Sequence, residues 1–132
     1  MDEAAGHLLR RAYARARRNT AEALAVLGDL SPVQAGALAA LIDGALPQAE
    51  LGRRIDMEPA NIHSLVARLR GAGLVASRRE NGQALVALTD EGGAVADRIE
   101  PLVRASTART LGALDEGERT IFLRLLARIA TD

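Results

Sequence analysis

The chain has 132 residues, 48% of them hydrophobic and 26% charged, which suits one globular domain or one protomer of a small oligomer and excludes disordered and collagen-like chains. Seventeen basic residues face seventeen acidic ones. A polybasic tail is therefore excluded, and any nucleic-acid contact has to rest on local patches.

Ala (27) and Leu (20), both strong helix formers, supply over a third of the chain, so the expected content is mostly helical. Residues 3–27 predict one helix, because Leu9, Tyr13, Ala16, Thr20, Leu24 and Leu27 recur at three- and four-residue steps. Gly28 is its expected stop. Ser31 followed by Pro32 reads as an N-cap and first helical residue, opening a second helix over 32–43 that stops at Gly44. A short third helix fits 47–54. Asp56 is the expected cap of a fourth, running to about residue 72, with Glu58 in its first turn and Ile62, Leu65, Val66 and Leu69 on one face. Residues 75–79 and 84–88 then change to strand character around Asn81-Gly82, the strongest short hairpin signal. Thr89 caps the next helix, over 90–111, with Val95, Ile99, Leu102 and Val103 as its stripe and Pro101 predicting a kink or a lost hydrogen bond. Asp115 and Glu118 form an acidic variant of the capping box ahead of a last helix bearing Ile121, Phe122, Leu125, Leu126 and Ile129. Gly71, Gly73, Gly92 and Gly93 read as punctuation.

A short helix followed closely by one with its own core stripe is a helix-turn-helix, and a compact hairpin after it makes a winged helix. The flanking helices cannot bury their stripes against so small a unit. Pairing of two copies would bury them and give a two-fold dimer.

The residues that carry these elements resemble a known family. Leu30-Ser31-Pro32-Val33-Gln34 is similar to its second-helix start, and residues 48–55 to its short helix. Residues 65–75, Leu-Val-Ala-Arg-Leu-Arg-Gly-Ala-Gly-Leu-Val, resemble its recognition-helix end and first strand. Leu88-Thr89-Asp90-Glu91-Gly92 resembles its wing exit. Together, in order and spacing, they resemble the MarR family of bacterial winged-helix regulators over nearly the whole chain. The resemblance implies a mostly α fold with a small β-hairpin wing: a winged helix-turn-helix lobe over 31–89, flanked by a dimerisation region over 1–30 and 90–132. It implies a homodimer that binds double-stranded DNA at a pseudo-palindrome, usually as a repressor. In many members a small aromatic acid or phenolic effector, bound between dimer region and lobe, releases the DNA. The chain departs from the family in a wing about three residues shorter, with residues 77–82 in place of the usual acidic-then-basic tip. Arg78 and Arg79 stand in for the usual wing arginine.

On the fourth helix the face opposite the core stripe carries Ala60, Ser64 and Ala67, flanked by His63 on one side and Asn61 and Arg68 on the other. Small central residues let a helix approach base edges, where Asn pairs with adenine, Arg with guanine or phosphate, and Ser with either. The competing reading is a plain solvated face. Arg78, Arg79 and Asn81 at the hairpin tip are the candidates for the minor groove, whose negative potential favours Arg; otherwise they guard a hairpin edge. Between 31 and 89 six Arg face five acidic residues, so a basic stripe rather than a basic domain is expected. An alternative is a protein-interaction winged helix that has lost specific DNA binding. The position of Arg68, Arg78 and Arg79 relative to Ser64 discriminates between the two.

Tyr13, Arg15 and Asn19 on the first helix are the ligand candidates, since an anionic aromatic molecule needs a guanidinium and an apolar slot. Ordinary dimer packing is the competing reading. The lack of Cys excludes a thiolate zinc site and a thiol sensor, and His7 and His63 have no ligand spacing around them. No nucleophile with base and orienter and no phosphate loop is present, so neither an enzyme nor a cofactor is expected. No apolar run approaches a membrane span, and the charged N-terminal segment points to the cytoplasm.

Overall fold

The computed structural model describes residues 2–131. Among them are helices α1 (Asp2–Leu24), α2 (Pro32–Ala40), α3 (Gln48–Arg54), α4 (Pro59–Gly71), α5 (Asp90–Thr110) and α6 (Glu116–Ala130), with a hairpin of β1 (Val75–Glu80) and β2 (Gln83–Leu88) between α4 and α5. The mostly α fold with a small β-hairpin wing is thus as expected.

Helix α1 tightens into a 3-10 turn at Ala25–Leu27 before Gly28, whose φ of 90° ends it. Ser31 caps α2 with a full capping box: its hydroxyl accepts from Gln34 N, and its own N–H donates to the Gln34 side chain. The α2 helix ends at Ala40, earlier than expected. Leu41, Ile42 and Gly44 instead donate to the carbonyls of Leu38, Ala39 and Leu41, a tightened finish. The Asp56 cap is a correction. Helix α4 begins at Pro59 behind an extended Glu58, which makes no side-chain cap bond, while Asp56 sits in the left-handed region at φ 55°. Proline disfavours helical geometry in the residue before it, so the boundary falls at Glu58. Asp56 lies too far out to reach the first turn.

Both strands run one residue nearer the tip than expected and meet in a two-residue turn, Asn81-Gly82, with φ of 52° and 78°. Positive φ at both central positions is what a type I′ hairpin requires. Leu46 adds a further bridge, exchanging both backbone bonds with Val86 at 3.0 and 2.7 Å and so fastening the α2–α3 loop to the wing.

The core gathers where the winged helix meets the ends of its neighbours: Leu24, Leu38, Leu51, Ile62, Val66, Leu69, Val75, Ala96 and Ile99 are all buried. The α5 stripe is shifted from expectation, since Ala96 and Ser106 are buried and Val103 is exposed. Helix α5 continues through Pro101, which has no N–H to donate to the Asp97 carbonyl one turn earlier. Helix α1 is held to α5 by polar links. Asn19 donates to the Thr110 hydroxyl at 2.9 Å. Ser106 gives its proton to Val103 O, so Thr20 donates to Ser106 at 3.2 Å. Arg109 reaches Glu22 at 3.1 Å. Helix α6, opened by the Asp115–Glu118 capping box, buries no residue, and Ile121, Leu123, Leu125 and Ile129 stand exposed along it. No single helix among the described residues is long and apolar enough to cross a membrane.

Candidate nucleic-acid interface and effector hollows

Helix α4 buries Ile62, Leu65, Val66 and Leu69, which turns its opposite face outward. Ala60, Asn61, His63, Ser64, Ala67 and Arg68 are all exposed and share that face. Three of the predicted positions, Ala60, Ser64 and Ala67, form a smooth ridge. Asn61 and Arg68 rise on one flank, and His63 rises on the other.

Sequence reasoning missed Arg70. It lies two turns beyond His63 on the wing-side flank and donates to the Ser77 hydroxyl of β1 at 2.9 Å. The signal was available, because Arg70 follows His63 by seven residues and therefore shares its side of the helix. The bond joins the end of α4 to the wing.

Strand alternation sorts the wing arginines. Ser77 and Arg79 share the face that meets α4, and Arg78 lies on the reverse face, opposite Leu85. Arg79 donates to Gly82 O at 2.7 Å, bracing the tip beside Asn81, whereas Arg78 pairs with Glu80 at 3.5 Å. Arg68 and Arg79 therefore stand on the α4 side, and Arg78 does not. On α3, Glu50 binds Arg53 at 2.6 Å and Arg54 at 3.4 Å. The hydrogen bond from Arg53, then that from Arg54, holds the Glu50 carboxyl below the usual carboxylate range.

Among the described residues, several hollows lie around these elements. One of about 300 Å³ sits between the α2 approach, α4 and α5. Leu27, Leu30, Leu69, Leu74 and Val95 give it apolar walls, and Arg68, Asp29 and Gln34 line it as well. Arg68 thus belongs both to the open face of α4 and to this hollow. A second, about 420 Å³ and strongly apolar, is lined by Tyr13, Ala16, Phe122 and Leu126 among others, between α1, α5 and α6. A third, on α1 and the end of α5, includes Arg15. The ligand candidates on α1 are thereby separated. Tyr13 lines the apolar hollow while its hydroxyl accepts from Arg17 at 3.0 Å. Arg15 lines the neighbouring hollow. Asn19 is buried in its bond to Thr110 and lines neither. Among the described residues no group of three His, Cys, Asp or Glu is placed to hold a metal ion.

An exposed helix behind a short one, with a braced hairpin beside it, defines a winged-helix DNA-binding protein. The comparisons agree. A MarR family model matches residues 28–84. The HTH-type transcriptional repressor NicR of Pseudomonas putida is 35% identical over 96% of this chain and 82% of its own length. Among solved structures, Bordetella bronchiseptica BpsR, whose DNA binding is regulated by 6-hydroxynicotinic acid, superposes with a TM-score of 0.84 at 30% identity, covering 94% of this chain and 92% of BpsR. The Mycobacterium tuberculosis MarR family protein Rv2887 in complex with DNA gives 0.78 at 32% identity, covering 96% and 97%. Rv2887 has also been solved with salicylic acid. The chain belongs to the MarR family.

Proposed function

We propose that the protein is a homodimeric transcriptional repressor that binds a pseudo-palindromic operator and leaves it when a hydroxylated aromatic acid binds. It acts by binding and not by catalysis, and it works in the cytoplasm with its DNA. One observation carries the reading: the α4 face of Ala60, Asn61, His63, Ser64, Ala67 and Arg68 is wholly exposed, and its Arg68 also lines the hollow behind it.

The geometry supports the following roles. Residues 31–89 form the DNA-binding lobe; 1–30 and 90–132 form the dimerisation region. The small ridge of α4 admits the helix to the major groove, where Asn61, His63, Ser64 and Arg68 reach base edges or phosphate. Arg79 and Asn81 carry the wing to the neighbouring groove, and Arg78 supports them from the reverse face of the strand. The exposed apolar residues of α6 and the hollow it forms with α1 and α5 are covered by the second copy. Tyr13 lies in that interface, and Asn19 locks α1 onto α5 beneath it.

The hollow behind α4 suits a small ring bearing a carboxylate and a hydroxyl. The carboxylate takes Arg68, the hydroxyl donates to Asp29, and the ring lies against Leu30, Leu69 and Val95. The NicR, BpsR and Rv2887 relatives support this class of control. Effector and DNA then draw on the same guanidinium, so binding of one weakens the other by an equal factor.

The test is selection of fragmented genomic DNA on the purified protein at low and physiological salt, followed by titration of the retained sequence with salicylic acid. Recovery of one pseudo-palindrome at both salts, released by the acid, is expected. Retention at low salt alone, with no shared motif, would reduce the protein to non-specific phosphate contact and return the interaction-module reading.

A further inference from the structure

From Ala4 to Ala21, helix α1 carries five arginines and no acidic residue, within a chain of zero net charge. Other helices balance their arginines locally: Glu50 holds Arg53 and Arg54, and Glu100 holds Arg104. A solvated helix face gains from such pairs, whereas like charges at three and four residues repel. Arg11, Arg15 and Arg18 follow one another at those spacings, on one face. No described carboxylate forms an ion pair with any of them. Glu22 is next on the same stripe, and its carboxylate goes to Arg109 of α5 instead. Arg17 lies off the stripe and is spent on Tyr13, with its guanidinium 5.8 Å from the ring centroid.

These three arginines are exposed. They line a hollow of about 450 Å³, whose remaining walls include Leu8, Thr110 and Leu111. It shares no residue with the hollow at Arg68, and it adjoins the apolar hollow between α1, α5 and α6 through Ala12, Thr110 and Leu111, with the three arginines outside that apolar hollow. Seven residues at a helical rise of about 1.5 Å spread the three guanidiniums over about 10 Å. One carboxylate fills one guanidinium fork, and three forks along one wall call for several anionic groups.

We propose that this hollow binds a small polyanion, with two or three phosphate or carboxylate groups on Arg11, Arg15 and Arg18 and an apolar portion against Leu8 and Leu111. The Thr110 hydroxyl is committed to Ser106 O as a donor, so it offers the ligand only an acceptor. The guanidiniums therefore supply the recognition.

Calorimetric titration of the whole protein with tripolyphosphate and with citrate tests this, with orthophosphate and acetate as single-group comparisons. Either polyanion should bind at least about tenfold more tightly than both comparisons, with an affinity that falls steeply between about 50 and 200 mM salt. The tighter of the two identifies the site as one for phosphate or for carboxylate groups. Arg15→Gln and Arg18→Gln should each weaken binding by about tenfold or more. Arg10→Gln, outside the hollow, should leave it unchanged. Failure of both polyanions to bind at low salt would overturn the proposal, as would equal losses in Arg10→Gln and Arg15→Gln. A shift of the dimer dissociation constant in Arg15→Gln, without polyanion binding, would overturn it by assigning the stripe to carboxylates of the second copy.

Discussion

Gly92 and its neighbour Gly93 are adjacent in one helical turn, yet substitution by Ala should act on them in opposite directions. A Cβ on Gly92 would lie 1.8 Å from the Leu74 carbonyl oxygen and 2.8 Å from its carbon. Both are backbone atoms, so no side chain can swing aside, and the two segments would have to part by more than 1 Å. The same carbonyl accepts from Thr89 N at 3.1 Å, and the Thr89 hydroxyl donates to Gly73 O at 2.6 Å. Overpacking of this kind costs about 1–3 kcal/mol, and each backbone bond strained with it about 1 kcal/mol. Better helix propensity of Ala returns at most about 1 kcal/mol. Gly92→Ala should therefore lose about 2–3 kcal/mol, a fall in the thermal midpoint of roughly 8–12 °C at fixed protein concentration. Gly93 has nothing within 4 Å of its Cβ position. Gly93→Ala should gain up to about 1 kcal/mol from propensity. Thermal unfolding of the two variants beside the parent protein measures both. A Gly92→Ala midpoint within about 2 °C of the parent, or an equal loss in Gly93→Ala, would refute the argument.

Arg68→Ala should weaken operator binding by about 1–3 kcal/mol in fluorescence anisotropy at moderate salt and blunt release by salicylic acid; unchanged affinity removes Arg68 from the interface. Leu125→Glu on α6, at a side chain 45% exposed in the single chain, should give a monomer by sedimentation; a stable dimer would show that α6 is not covered by the second copy. The Glu50 carboxyl is held below its usual range by Arg53 and Arg54. Its contribution to stability is therefore present above about pH 4.5 and lost as pH falls through the lower folded value. The midpoint difference between Glu50→Gln and the parent should shrink from pH 6 to pH 3, and an unchanged difference rejects the role of that carboxylate.

Much of the fold was legible because its signals are local. The Ser31-Pro32 start, the Asn81-Gly82 turn, Thr89 and the Asp115–Glu118 box each bring their own hydrogen bonds, independent of distant packing. Helix α4 was legible through Ile62, Leu65, Val66 and Leu69, whose spacing alone sets the opposite face. What escaped depends on which segments meet. The role of Gly92 comes from the approach of Leu74, eighteen residues earlier, and nothing around Gly92 announces it. The Leu46–Val86 bridge joins a loop to a strand across the α3–α4 unit. The separation of Tyr13, Arg15 and Asn19 depends on where α5 and α6 lie, which helical periodicity in α1 does not contain. Asp56 was misread because a residue good at capping was preferred to the stricter constraint that Pro59 places on its predecessor.

The junction at Gly92 also bears on how an effector signal travels. The turn between α4 and β1 is held to the start of α5 by Thr89, through bonds to Gly73 and Leu74, and by the Gly92 contact. Arg70 holds the same end of α4 to the wing. These links make the C-terminal end of α4, the base of the wing and the first turns of α5 one stiff unit. A ring bound as proposed, against Leu69, Leu74 and Val95, would press on that unit from within the hollow. Through that unit the response would pass along α5 toward Ser106 and Thr110, where α1 is attached by Thr20 and Asn19. Loosening the junction should then separate two functions that otherwise move together. Thr89→Val keeps the shape of the side chain and removes both of its hydroxyl bonds. It should leave salicylic acid binding nearly unchanged while reducing the factor by which the acid weakens DNA binding. Equal factors in the variant and the parent would place the coupling in Arg68 alone, where effector and DNA compete for one guanidinium and no stiff junction is needed.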